Sequence, residues 1–286
     1  MELSTLFFRN GGNKKVLKDL MIREETPSDY KQTELMIMRS FWNKYWPGCS
    51  EHFLTRIIRA SKDYIPEISR IAEWKGQIVG AIYYTRAWIV DGDKKHEIVT
   101  FGPLAVEPTL EGNDIGGTLV RETISLAKKS GVAGIVIMGE PNYYPRFGFK
   151  RGAEFGITDA WGNTPDALMV LPLNNDFSSI KGKLMESPDF EKLENQEELN
   201  KINEEFPKYR KVKVMDGFMQ IFEQHLGVIE SVHGEDYNVR YWEKIIPAKL
   251  AGTIKEKPVV GSDVQFAWNH KGTSEITKVI QNMLDE

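Results

Sequence analysis

Apolar residues recur along the chain with two spacings, and the switch between them divides it. MIREETPSD reads as a strand and a turn, with Ser28 or Asp29 as the N-cap of a helix. The spacing predicts that helix over 30–46, burying Leu35, Met38, Trp42 and Trp46, until Pro47-Gly48 stops it. A second amphipathic helix is predicted over 50–61, with Phe53, Ile57 and Ile58 between charged positions. From Ile68 the period drops to that of strands. ISRIAEWKG and QIVGAIYYTRAWIV are joined by Lys75-Gly76, a two-residue hairpin signal, and EIVTFGPLAV follows the DGDKK turn. This reads as an antiparallel meander of three strands.

A glycine-bearing loop over 107–115 then leads into a helix over 116–129, with Leu119, Ile124 and Ala127 apolar and Gly131 as its stop. VAGIVIMG is a short, fully apolar strand of the kind buried on both faces. Strand, loop, helix and strand make a βαβ unit, so the strands on either side of the helix should be parallel neighbours. DALMVLPL closes the sheet. The first 20 residues form an extension with a Gly-Gly break and only a short apolar patch, which gives no signal-peptide h-region.

Composition narrows the function classes. The 286 residues are 41% hydrophobic and 27% charged, as in ordinary globular proteins, and no window approaches a membrane span. With 37 Lys and Arg against 41 Asp and Glu, the net charge of −4 argues against nucleic acid as a partner. The lone Cys49 excludes an intrachain disulfide and a cysteine zinc cluster, and no histidine pair has metal-ligand spacing, so no metal is expected. Cys49 has no paired histidine in view and reads as inert. A reduced, cytoplasmic protein is the expectation.

The loop Glu111-Gly112-Asn113-Asp114-Ile115-Gly116-Gly117-Thr118 sits between a strand and a helix N-terminus, where backbone N–H groups and the helix dipole favour an anion. It has neither the GKS/GKT of a P-loop nor GxGxxG, so nucleotide hydrolysis and a dinucleotide are not supported. On spacing alone, plain turn chemistry remains open beside a phosphate role.

With its flanks, LAVEPTLEGNDIGGTLV resembles the acetyl-CoA motif of the GNAT superfamily of N-acetyltransferases. GEPNYYPRFGFKRG resembles that superfamily's second cofactor and acid motif, in bacterial proteins with a PxYYxRFGF stretch. The two stand in the expected order, one helix and one strand apart, and the resemblance covers residues 21–171. It implies a mixed, mostly antiparallel α/β (α+β) sheet with flanking helices. It also implies acetyl-CoA as acetyl donor and a small-molecule or protein amine as acceptor, attacking directly in a ternary complex. The strand over 101–106 should splay from that over 132–138 to admit the pantetheine arm, held by backbone groups of Leu104, Ala105 and Val106. The N–H groups of 112–117, with Thr118 beside them, would take the pyrophosphate. Tyr144, four residues before Gly148, would protonate the departing thiolate. Glu97 is the nearest carboxylate for deprotonating the amine. Each has a plainer reading: Tyr143 and Tyr144 as aromatic packing, Gly148 as a turn, and Glu97 or His96 as solvated surface.

The loop departs from the family pattern, with Glu111 where Gln or Arg is usual and Asp114 where glycine is. At about 6 Å and an effective dielectric of roughly 20–80, each carboxylate facing the phosphates would cost roughly 0.7–3 kcal/mol. Asp tolerates left-handed backbone, so the loop shape can survive. These two charges favour an alternative function, a catalytically silent acyl-CoA-binding regulatory module.

Residues 172–286 carry no such motif and are predicted as a mainly helical C-terminal extension. The acidic stretch over 189–205 reads as a solvated helix with Phe190, Leu193, Leu199 and Ile202 for packing, followed by the basic Lys208, Arg210, Lys211 and Lys213. Met215, Phe218, Met219 and Phe222 have helical spacing, as do Tyr237, Tyr241 and Ile245. A last helix is expected from about Ser274 with Ile276, Val279, Ile280 and Met283, while VVGSDVQFAW reads as a strand. Tyr237, Tyr241, Trp242 and Trp268 are candidates for an aromatic wall around a cationic amine, for core, or for a homodimer interface.

Overall fold

A computed structural model describes residues 17–209, 224–242, 244–268 and 274–280. The chain begins with β1 (Met21–Arg23), α1 (Tyr30–Phe41), α2 (Glu51–Ala60), β2 (Arg70–Trp74), β3 (Gln77–Asp91) and β4 (Lys94–Val106). Next come α3 (Ile115–Ser130), β5 (Gly134–Met138), β6 (Lys150–Arg151), β7 (Ile157–Thr158), β8 (Leu168–Pro172), β9 (Gly182–Met185) and α4 (Gln196–Asn203). The sheet runs β1-β2-β3-β4-β5-β8-β6, and β9 pairs with β7 and with the far half of β3. In this sheet, among the described residues, only β4–β5 and β7–β9 are parallel pairs.

The meander forms as its spacing predicts, with Lys75 and Gly76 both in left-handed backbone at the β2–β3 turn. The α3 helix lies on one face of the sheet over Tyr84, Val99, Phe101 and Ile135. On the other face, α1 and α2 cover Ile71, Ala81, Tyr83 and Ala105. The first helix stops at Phe41 rather than continuing to residue 46. Asn43 turns left-handed (φ 58°), its N–H reaches the Gly48 carbonyl at 2.9 Å, and its side chain accepts from the Gly48 N–H at 2.9 Å. That sealed turn holds Lys44, Tyr45 and Trp46 at its tip, so Trp46 is 47% exposed instead of facing the core.

The acidic stretch is not one helix. A 3-10 turn over Pro188–Glu194 ends at Asn195, whose side chain caps α4, and Leu199 and Ile202 pack against Met38 and Phe53. Beyond it, the expectation of a mainly helical extension is overturned. β10 (Gln224–His233), β11 (Asp236–Tyr241), β12 (Lys244–Leu250), β13 (Asp263–Trp268) and β14 (Ser274–Ile280) close a barrel in the order β10-β11-β12-β14-β13. The fourth strand lies beside the first, a Greek-key arrangement. The misreading has a physical origin, since residues four apart share a face of a strand as well as of a helix. Asp236-Tyr237-Asn238-Val239-Arg240-Tyr241 alternates outward and inward, and Ile245 is exposed. The run SEITKVI, rich in β-branched residues, buries Ile276 as a strand. The strand expected in VVGSDVQFAW is β13. The aromatic spacing over 215–222 and the residues Arg210, Lys211, Lys213 and Met283 lie outside the described residues.

A buried ion cluster ties α1 and α2 to the sheet edge. Arg59, 7% exposed, meets Glu25 at 2.6 Å and Glu34 at 2.5 Å, both 5% exposed, and bonds the Tyr83 hydroxyl at 2.9 Å. Removing one partner strands the others without water. Arg59→Met is therefore expected to cost about 3–5 kcal/mol in urea unfolding, against less than about 1 kcal/mol for an exposed arginine.

His52, fully buried on α2, bonds Asn203 Oδ1 through Nε2 at 2.9 Å, and burial pushes its imidazole down to about 4. An unfolded histidine protonates near 6.5, so the unfolded chain gains the proton first. Stability from this site is complete above pH about 6.5 and falls as pH drops towards 4, by about 3 kcal/mol in all. Urea midpoints measured between pH 7.5 and 4.5 should fall less steeply in His52→Gln than in the parent chain.

Candidate functional site

The site begins where β4 leaves β5. β3 and β4 pair along nearly their whole length, from Asp91–Lys94 to Gly80–Val106. Between the pairs Tyr84–Phe101 and Ile82–Leu104, β4 has two residues, Gly102 and Pro103, opposite Tyr83 alone. Such a bulge bends its strand. The parallel β4–β5 ladder consists of the single pair Val99–Ile135, while β5 stays paired with β8 from Gly134 to Met138. The two strands part beyond that pair, leaving the end of β4 alongside a gap.

The turn after β4 is set by Glu107, which accepts from the Thr109 backbone and from Arg39 of α1 at 2.9 Å. Gly112 (φ 80°) and Asp114 (φ 58°) are both left-handed, which turns the chain into α3. The Asp114 carboxylate does not cap the helix. It swings along the helix to Arg121, seven residues on and on the same face, at 2.6 Å. A Cβ at Gly117 would overlap Asp114 Oδ1 and lie 3.1 Å from Arg121 Nη1. A Cβ at Gly116 would lie 3.0 Å from the Tyr143 hydroxyl and 3.3 Å from Val106 Cγ2. Glycine at these two positions therefore lets Tyr143, Val106, Asp114 and Arg121 close on the first turn of α3, whose N-cap side chain makes no capping bond and leaves the helix start to an anion.

The other wall comes from the 3-10 turn Tyr144–Phe147 after β5. Tyr144 is 8% exposed and packs on Phe101 (5.7 Å), Phe149 (5.6 Å) and Tyr143 (5.0 Å). Burial holds its phenol well above the ordinary tyrosine range, and the fields of Tyr143, Tyr84 and Tyr45 push the same way. Tyr45 is at the tip of the α1–α2 turn, against Phe41 and Trp46. Arg146 stacks on the Tyr143 ring at 3.7 Å.

The residues expected at the site separate into groups. Gly112, Asp114, Gly116 and Gly117 stand in the turn after β4 and the start of α3, and Tyr144 stands in the turn after β5, against Phe101 of β4. Ile115 (1% exposed) and Ala105 (0%) point their side chains into the core and leave only backbone for a ligand. Leu104 and Val106 pack against the core beneath α3, and the Val106 N–H reaches Ser40 Oγ at 3.4 Å. Asn113 Nδ2 donates to the Leu110 carbonyl and Thr118 Oγ1 to the Asp114 carbonyl, so both brace the loop. Glu97 stands apart. It precedes the Val99–Ile135 pair, on the side away from the gap and roughly 13 Å along the strand from Phe101 at the usual rise. It is exposed and faces Arg86 at 3.5 Å.

Glu111 is partly buried, and its burial raises the carboxyl above the usual range against the opposing pull of Lys44. Its field reaches Tyr241 of the barrel. The β11–β12 tip docks here: Lys244 Nζ donates to the Thr109 carbonyl, and Trp242, left-handed at φ 54°, lies 5.1 Å from the Arg39 guanidinium and 4.8 Å from Tyr209. Arg121, Arg146 and Tyr45 were not singled out from sequence. The place of Arg121, two helical turns after Asp114, was a readable signal. Tyr45 and the barrel tip come to the site through tertiary packing.

No protein-family model matches the chain. It is 34% identical over 85 residues to the uncharacterized N-acetyltransferase YjhQ of Escherichia coli K12, covering 30% of this chain and 47% of that protein. The match thus spans less than half of that relative's length. It is 27% identical over 158 residues to the uncharacterized N-acetyltransferase YhbS of Escherichia coli K12, covering 55% of this chain and 89% of that one. The crystal structure of YhbS in complex with CoA superimposes with a TM-score of 0.53 at 24% identity, over 60% of this chain and 92% of that chain. The parted sheet with its glycine-entered helix is the GNAT fold, and the chain's relatives in sequence bear the N-acetyltransferase name.

Proposed function

We propose that the chain moves an acetyl group from acetyl-CoA to an amine, a primary amine of a small molecule or a protein, by direct attack in a ternary complex. The observation that carries this reading is the parting of β4 from β5 beside an uncapped, glycine-lined helix start, with a buried tyrosine on the facing wall. CoA in the YhbS structure supports the choice of donor. Residues 21–171 then carry the transferase motifs, β9 and α4 complete the same sheet and helical face, and the β10–β14 barrel is the appended unit.

Acetyl-CoA supplies the acetyl group as a thioester. Backbone N–H groups of 112–117 hold its phosphates, and the peptide edge of 104–106 lines the arm and polarises the carbonyl. Tyr144 gives the departing sulfur its proton, and the proton that the amine nitrogen loses on forming the amide returns through solvent to the phenol. Its phenol stays protonated throughout the physiological range because burial opposes the phenolate. The surrounding Phe101, Phe149 and Tyr143 fix the ring, so little ordering remains to be done at the moment of transfer. Before the donor arrives, the Asp114–Arg121 pair neutralises one of the two charges that favoured a silent module, and burial disfavours the charge on Glu111.

Calorimetry is expected to give one acetyl-CoA bound per chain, and a panel of amines to include one that releases CoA. Tyr144→Phe should lower kcat about 10²–10⁴-fold with the acetyl-CoA Kd unchanged, whereas Glu97→Gln should leave kcat within about twofold. Binding without turnover on any amine would favour the silent module, and absence of binding would remove both readings. A Tyr144→Phe variant at full rate would take the tyrosine out of the mechanism.

A further inference from the structure

Asp114 and Arg121 form more than a surface ion pair. Both side chains lie over the first turn of α3, in the space that Gly117 leaves by lacking a Cβ. The carboxylate is mostly buried (14% exposed), whereas the guanidinium is 53% exposed on a long stem that can swing. The fields of both reach the Tyr143 hydroxyl, and Arg146 stacks on that ring from beyond. Arg146 thus lies on the Tyr143 ring whose hydroxyl meets Gly116, Arg121 lies over the neighbouring Gly117, and a single carboxylate pairs with Arg121.

We propose that Asp114 is a built-in counter-ion for Arg121, displaced when a phosphate of the donor takes its place, so that Arg121 and Arg146 select phosphorylated donors. The proposal rests on the acyl-CoA reading and concerns the regulation of that same site. A guanidinium pairs with a phosphate as well as with a carboxylate, by two parallel N–H···O bonds. While the site is empty, Asp114 keeps Arg121 paired over the helix turn. When a phosphate arrives, the exchange leaves the carboxylate facing a polyanion, so Asp114 lowers donor affinity. Gly117 is part of the device, because any side chain there would evict the pair.

The test is calorimetric titration of the full chain and its variants with CoA, 3′-dephospho-CoA and pantetheine. Asp114→Asn keeps a residue that accepts left-handed backbone, and is expected to tighten CoA binding about 3–10-fold, less at high salt. Arg121→Gln is expected to weaken it about tenfold, and to cost more in the Asp114→Asn background, where no internal pair has to be broken first. Loss of the arginine effect with 3′-dephospho-CoA would assign the contact to the phosphomonoester; its survival there and loss with pantetheine would assign it to the pyrophosphate. Both outcomes support the exchange. Unchanged or weaker CoA binding in Asp114→Asn, or an equal effect of Arg121→Gln on pantetheine, would overturn it. If the parent chain bound no CoA, the acyl-CoA reading would fail by itself. The exchange would then be decided with inorganic pyrophosphate on the same variants, where tightening by Asp114→Asn is again required.

Discussion

Two parallel strands that pair at one residue and then diverge are the constraint on which the site depends. A parallel ladder is normally continuous, because each strand satisfies the other's N–H and C=O groups. Here the ladder holds only at Val99–Ile135. The surrounding fold makes the separation sustainable: β4 keeps its bonds to β3, β5 keeps its bonds to β8, and the two-residue bulge at Gly102-Pro103 bends β4. Tyr84, Phe101, Phe149 and Tyr144 pack together in the core, with Phe101 of β4 touching Tyr84, Phe149 and Tyr144. The opening is thus framed by strands that each keep their other neighbour.

Charge is the second constraint. A helix start that receives phosphates would ordinarily carry no acids, yet this loop has Glu111 and Asp114. The fold treats them differently. Asp114 is bound to a cation on its own helix, in space that a missing Cβ provides. Glu111 is turned towards Lys44 and the barrel, where burial works against its charge. Asp114 is thus paired on its own helix, and burial disfavours the charge on Glu111. The barrel tip is fixed to the same stretch through Lys244, Trp242 and Arg39, so the appended unit borders the loop that leads into the helix.

Much of the core was legible in the sequence because its elements declare themselves locally. The Lys75-Gly76 turn, the apolar run of β5 and the glycine stop after α3 each follow from a short window. The glycine loop and Tyr144 were legible through resemblance alone. Glu97 was selected for nearness in sequence, whereas position along a strand decided where it stands. The barrel was misread because the spacing of Tyr237 and Tyr241 satisfies two periodicities, and the alternation of Asn238 and Arg240 between them was the deciding signal. The exposed Trp46 was misread for another reason. The reciprocal bonds of Asn43 and Gly48 end the first helix early, and a turn closed by tertiary geometry leaves no periodic mark.

The central claim is that the gap between β4 and β5, with the glycine-lined start of α3, receives an acyl-CoA. Hydrogen–deuterium exchange with and without acetyl-CoA tests it at the backbone itself. The account predicts slowed exchange at 104–106 and 112–118, with the β10–β14 barrel strands unchanged. Protection confined to the barrel, or none at saturating acetyl-CoA, would contradict it.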